Sequence, residues 1–238
     1  MIEVKNIHKK FGKKIVLEDI SLTIKDGEVL GLLGSNGSGK TTLLDIIIGQ
    51  QKPTSGTVSI DGKKDGYKNV GIQFQEGSWP KGVTAKLLIQ YFRRKQKALT
   101  EEYVIKLIEL FEIKDFLELD LNQLSGGQKQ RLNTLLAVIN DPKYICLDEM
   151  ITGLDLKMQL KLIEWIGELK KHQKTIIIIS HNPEEVEVLC DSFVIIERGH
   201  IYYEASVAKA IKEFGSIRNM MIKYYKEELK SNVISKSK

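Results

Sequence analysis

No run of apolar residues in this sequence approaches the roughly 18 that a helix needs to cross a bilayer, which excludes a membrane-spanning helix. The opening Met1-Ile2-Glu3-Val4-Lys5 has no apolar stretch of the signal-peptide kind and begins directly in a strand pattern, so a cytosolic chain is expected. There is no internal repeat. Cysteine is scarce, with two in 238 residues. Cys146 falls in an apolar strand-like run and Cys190 in a helical stretch, and both read as reduced and structural. Positive charge is not concentrated either: the formal net charge of +5 comes largely from scattered lysines. Only Arg93-Arg94-Lys95-Gln96-Lys97 is dense, and it reads as a solvated helix end, so no nucleic-acid partner is expected. What remains is a 42% hydrophobic chain, long enough to bury a substantial core in one domain with two lobes.

The chemistry is concentrated in short motifs. Gly34-Ser35-Asn36-Gly37-Ser38-Gly39-Lys40-Thr41 fits G-x-x-x-x-G-K-[ST]. In that pattern small residues let successive backbone N–H groups point into one concavity, the lysine reaches the β and γ phosphates, and the hydroxyl holds Mg²⁺. Val29 to Leu33 before it is a buried-strand pattern, and residues 41–48 after it, Thr42 among them, continue as a helix ended by Gly49. The helix start adds unpaired amides and a positive dipole end to an anion site. ATP and Mg²⁺ are the expected ligands, with Gly34 to Thr42 around the phosphates.

Tyr144-Ile145-Cys146-Leu147-Asp148-Glu149 places an acidic pair at the carboxyl end of a buried strand, where open α/β sheets bind their ligands. Asp148 is the expected second magnesium contact. In an extended strand the two carboxylates would point to opposite faces, so the strand must end between them for both to serve one site. Glu149 can then accept a proton from, or orient, the attacking water. His181 follows the β-branched run Thr175-Ile176-Ile177-Ile178-Ile179-Ser180, expected as the neighbouring strand, and should contact either the γ-phosphate or Glu149.

Leu124-Ser125-Gly126-Gly127-Gln128 precedes the acidic strand and opens a helical pattern to residue 139, so the serine hydroxyl and free amides make an outward-facing anion site. With these motifs in this order, residues 2 to 203 resemble the ATP-binding cassette (ABC) ATPases, and the pentapeptide resembles that family's signature. The resemblance implies two cassettes packed head to tail, each ATP lying between the phosphate loop of one and Ser125, Gly126, Gly127 and Gln128 of the other. It implies that Gln75, after the strand pattern 70–74, touches the metal and the water and senses the partner domain, with Gln73 a neighbouring decoy. It also implies that Gly153-Leu154-Asp155 crosses to the opposite cassette, and that Phe11 stacks on adenine, although Phe11 could equally be core. Met150 and Ile151 depart from the family's usual Pro-Thr; no catalytic group is lost.

The fold class expected is α/β: a P-loop ABC cassette with a mixed, largely parallel RecA-like core sheet, an antiparallel β layer and a helical subdomain. Residues 1–76 and 140–204 are expected to form the ATPase core with its β layer. Residues 77–139 are expected to form the helical subdomain, 205–230 two C-terminal helices broken at Gly215, and 231–238 a frayed tail. One phosphate loop and one signature can complete two sites only by pairing, as a homodimer or with a related subunit. Nothing in the chain could recognise a transported molecule, so the resemblance implies a separate membrane-embedded permease, with export the expected direction and the chain peripheral on the membrane's inner face. A soluble ABC ATPase, such as an iron–sulfur assembly type, is the alternative. Trp79, in a Gly/Pro-marked loop, should either pack on its own domain or anchor that partner.

Overall fold

The computed structural model describes residues 1–64, 66–73, 79–95, 100–151 and 154–236. Three strands, β1 (Ile2–Phe11), β2 (Lys14–Ile24) and β4 (Ser55–Ile60), form an antiparallel sheet in the order β2-β1-β4. The period-2 burial of Ile20, Leu22 and Ile24, with Leu17 beyond a register shift, supplies one apolar face for it. A second sheet has the order β5-β6-β7-β3-β8-β9, built from β3 (Val29–Leu33), β5 (Val70–Ile72), β6 (Tyr144–Asp148), β7 (Thr175–Ile179), β8 (Ser192–Glu197) and β9 (His200–Ser206). Its first five strands pair in parallel and β9 closes the edge antiparallel. The expected strand over 70–74 stops at Ile72, and Phe74 lies outside the described residues.

Alternation along these strands divides the core in two. Leu30, Leu32, Cys146, Ile177, Ile179, Val194 and Ile196 pack with the antiparallel sheet and with α1 (Lys40–Ile47). Their neighbours Val29, Leu33, Ile145, Leu147, Ile176, Ile178, Phe193 and Ile195 face the opposite cluster. That cluster runs on without a break into α2 (Ala85–Lys95), α3 (Glu101–Leu110) and α4 (Gly126–Val138), and into α5 (Leu156–Lys171) and α6 (Pro183–Leu189). The sheet is therefore buried on both faces, which is why its strands read as continuous Ile/Leu/Val runs.

Phe111, the C-cap of α3, is fully buried and meets Trp165 of α5 edge-on, ring centroids 5.2 Å apart at 79°. It joins the helical lobe to the core. Phe111→Ala is expected to lower unfolding stability by about 3–5 kcal/mol, measured by urea denaturation of the full chain.

The C-terminal helices α7 (Val207–Phe214) and α8 (Ile217–Lys236) are separated at Gly215, whose φ is +80°. Ile217, Met220 and Met221 are buried and cover the core, and Tyr224 stacks on Tyr202 of β9. Helix α8 continues to Lys236, past the expected start of a frayed tail. Both cysteines are buried and free, and burial pushes the Cys146 thiol up to about 12. Among the described residues no helix is long and apolar enough to cross a membrane.

Candidate active site

Because β3, β6 and β7 are parallel neighbours, the segments leaving their carboxyl ends must emerge on one edge of the sheet. Those segments are the phosphate loop, the Asp148-Glu149 pair and Ser180-His181. They surround a cavity of about 340 Å³ lined by Asn36, Gly37, Lys40, Thr41, Asp148 and His181, with Gly39, Thr42 and Glu149, while Lys14 and Val16 of β2 close one side.

The phosphate loop is held in a conformation only glycine allows at two points. Gly34 has φ +145°, and a Cβ there would lie 2.1 Å from the Ile196 carbonyl oxygen. Gly39, the residue before α1, has φ +113°, and its Cβ would collide with Leu17. Lys40 is buried and donates from Nζ to the carbonyls of Gly34 (2.8 Å) and Ser35 (2.9 Å). Burial lowers its pKa, an effect opposed by the negative charges of Glu197, Asp148 and Glu149. Ser38 Oγ is buried against Gly34, has no hydrogen-bond partner among the described residues, and does not line the cavity.

The acidic pair resolves the problem of opposite-facing side chains by ending the strand between them. Asp148 is the last residue of β6, paired across to Ile179. Glu149 then enters left-handed backbone at φ +49°, its N–H donating to the Ile179 carbonyl at 2.9 Å. Both carboxylates consequently reach the cavity. His181 Nδ1 lies 2.7 Å from Glu149 Oε1, so of the two expected contacts the one to Glu149 is present. Gln73, just beyond β5, is buried and its amide donates to the Asp148 carbonyl at 3.2 Å, supporting the end of β6 from the neighbouring strand.

Ser125 caps α4 through a reciprocal pair: its Oγ accepts from Gln128 N–H at 3.3 Å and Gln128 Oε1 accepts from Ser125 N–H at 2.9 Å. The Gln128 side chain is therefore engaged in the cap. The exposed first turn at Gly126 and the adjoining Gly127 carries the amides that have no partner within a helix. None of these residues lines the cavity that holds Lys40. Phe11 is 47% exposed at the end of β1, across from Lys14, with Lys9 Nζ 4.6 Å from its ring centroid. It is not a core residue. Asp155 caps α5 by accepting from Met158 N–H at 2.9 Å. Gln75 and Gly153 lie outside the described residues. Trp79 is half-buried, packs against the core cluster, and exchanges backbone hydrogen bonds with the Asn122 side chain. Arg93, in the dense basic run, is exposed and paired with Glu101 at 3.2 Å.

Three residues bear on the site without having been singled out in the sequence. Gln130 of α4 donates from Nε2 to the carbonyls of Glu149 and Met150. Glu197 accepts from Ser35 N–H (3.0 Å) and Ser35 Oγ (2.8 Å), and Tyr225 of α8 donates to it at 2.8 Å. Glu185, wholly buried on α6, joins Ile151 to Ser180. A carboxylate at a strand end, as at Glu197, or on the buried face of a helix beside Val186 and Leu189, as at Glu185, was the available signal.

The sequence matches the family described as "ABC transporter" over residues 17–152. The chain belongs to the ABC transporter family. It is 35% identical over 222 residues to "ABC transporter ATP-binding protein NatA" of Bacillus subtilis, covering 87% of this chain and 90% of that one. It is 36% identical over 208 residues to "Nod factor export ATP-binding protein I" of Burkholderia lata (83% and 68% covered). It is also 35% identical over 215 residues to "Sulfate/thiosulfate import ATP-binding protein CysA" of Photorhabdus laumondii (84% and 59% covered). Among solved structures, the "ATP binding subunit of ABC transporter" superposes with a TM-score of 0.83 at 26% identity, covering 94% of this chain and 98% of that one. A dimeric bacterial ABC transporter cassette gives 0.77 at 29% identity, covering 87% and 99%. A cassette in a post-hydrolysis state bound to ADP and Pi gives 0.77 at 28% identity, covering 87% and 99%. This ABC cassette is thus an ATP-binding subunit of the transporter type and an ATP hydrolase, with the P-loop ABC fold expected from its motifs.

Proposed function

We propose that this ABC cassette pairs head to tail with a second cassette around two ATP molecules and drives export through a separate membrane-embedded permease, which holds it at the inner face of the membrane. The observation that carries the reading is the division of the chemistry. Lys40, Thr41, Asp148, Glu149 and His181 share one cavity, while the glycine-opened start of α4 lies outside it. A nucleotide bound at the first needs a second chain to supply the other.

In this reading Lys40 exchanges the Gly34 and Ser35 carbonyls for the β and γ phosphates. The loop, with Gly37, Gly39 and the Lys40 amine at the cavity wall, fits a phosphate group. Thr41, Asp148 and, outside the described residues, Gln75 would hold Mg²⁺, which when bound neutralises phosphate charge. Glu149 orients or deprotonates water on the far side of the γ-phosphate, and His181 fixes the carboxylate that does so. Phe11 offers an exposed ring to the adenine beside Lys14.

Two names among the relatives point in opposite directions of transport, Nod factor export at 36% identity and sulfate/thiosulfate import at 35%. The permease is therefore the informative partner. Tagged chain recovered from its native host in mild detergent is expected to bring down a polytopic membrane protein, and inside-out vesicles of that complex are expected to take up substrate with ATP. Recovery of only a soluble scaffold would overturn the transporter assignment, and ATP-driven uptake by right-side-out vesicles would overturn export.

A further inference from the structure

We propose that Glu185 is a positioning residue for ATP hydrolysis, its buried carboxylate bridging the segments that carry Glu149 and His181 and so setting the spacing of that pair. The inference rests on the proposed role of Glu149 and adds a residue to it. Glu185 sits in the first turn of α6 with no exposed surface. Its Oε1 accepts from the Ile151 N–H at 2.9 Å, two residues beyond Glu149. Its Oε2 lies 2.6 Å from Ser180 Oγ, one residue before His181.

Each end of this bridge is independently fixed. Ser180 is fully buried, its N–H donates to the Leu32 carbonyl at 3.1 Å, and its Oγ accepts from Asn182 N–H at 2.9 Å. Its place at the end of β3 and β7 is therefore set. The segment after Glu149 has no such ladder, because the left-handed residue takes it out of β6. It is gripped instead from both sides, by Gln130 of α4 at the Glu149 and Met150 carbonyls and by Glu185 of α6 at the Ile151 amide. With Glu185 removed, one grip is lost and Ile151 N–H is left without its acceptor. Glu149 and His181, themselves about half exposed at 47% and 51%, then have less to keep them 2.7 Å apart.

A carboxylate out of water is expensive unless its partners repay it. Burial raises the Glu185 pKa, and the Ser180 hydroxyl and Ile151 amide oppose that shift. Glutamine keeps the geometry at the same length. Its oxygen accepts from Ile151 N–H, and its amide donates to Ser180 Oγ, whose proton can turn to the Asn182 carbonyl at 3.3 Å. Alanine keeps neither contact.

The test is steady-state ATPase kinetics of the full chain, with thermal unfolding of each variant. Glu185→Ala is expected to lower kcat by about 10- to 100-fold, as a misplacement of catalytic groups by about 1 Å does, with KM for ATP within about twofold. Glu185→Gln is expected to retain most of kcat. Ser180→Ala removes one of the two holds and is expected to lower kcat by about 3- to 10-fold at unchanged KM; it decides the matter if Glu185→Ala does not fold. Wild-type kcat in a folded Glu185→Ala or in Ser180→Ala overturns the proposal. So does a Glu185→Gln variant as slow as the alanine, which would assign the effect to charge, or a rise in KM that accounts for the whole loss. Glu149→Gln in the same assay separates the two readings: normal turnover there removes the proposed base whatever Glu185 does.

Discussion

Glu149→Gln is expected to slow ATP hydrolysis by a factor on the order of 10² or more while leaving nucleotide binding intact. Glutamine fills the same volume beside His181 and still offers an oxygen to the ring, but it cannot take a proton from water. Lys40, Thr41 and the glycine loop, which hold the nucleotide in the proposed site, are untouched. With ATP bound and uncleaved, the head-to-tail pair should persist, visible as a dimer on size-exclusion chromatography. Turnover near that of the unmodified chain would remove Glu149 as the base.

Lys40→Ala and Ser125→Arg are expected to fail in different ways. Lys40 is the buried cation at the phosphate loop, and its loss should weaken ATP affinity itself. One charge-assisted contact to phosphate is worth about 1.5–3 kcal/mol, or roughly 10- to 100-fold in Kd. Ser125 sits exposed at the start of α4, outside the phosphate cavity of its own chain. An arginine there should leave binding to the monomer unchanged and block dimer formation by occupying the opposing phosphate position. Titration with a fluorescent ATP analogue reads the first effect and size exclusion in the Glu149→Gln background reads the second. Equal loss of affinity in both variants would place Ser125 in the same-chain site, against the head-to-tail arrangement.

The site was legible in the sequence where its residues follow one another along the chain. Strand, glycine loop and helix are contiguous around Lys40, and Asp148 and His181 each end an apolar run whose length fixes where the strand stops. Parallel order then brings the three ends to one edge, and this too follows from β-α alternation. The supports were not legible in that way. Glu185 reaches Ile151 across 34 residues, Gln130 reaches Met150 across 20, and Glu197 reaches Ser35 across 162. Hydrophobic periodicity says which face of an element is buried and nothing about which polar atom will meet it from another element. Ser125 shows the intermediate case. Its position at the head of α4 followed from the Ser-Gly-Gly pattern, and the return bond from Gln128, which takes that side chain into the cap, was available in the same Ser-x-x-Gln spacing but was not read from it.

The left-handed backbone at Glu149 makes that position unusual as a target for mutation. Every residue with a Cβ carries a conformational penalty there, on the order of 1–2 kcal/mol, and glycine alone escapes it. Glutamine and glutamate share the penalty, so their comparison isolates proton transfer. Glycine would relieve the backbone at the moment it removed the carboxylate, and such a variant should melt higher than the unmodified chain while hydrolysing less. Activity and thermal stability are thus set against one another at a single residue: the fold bears a strained turn so that two consecutive carboxylates can look into the same cavity.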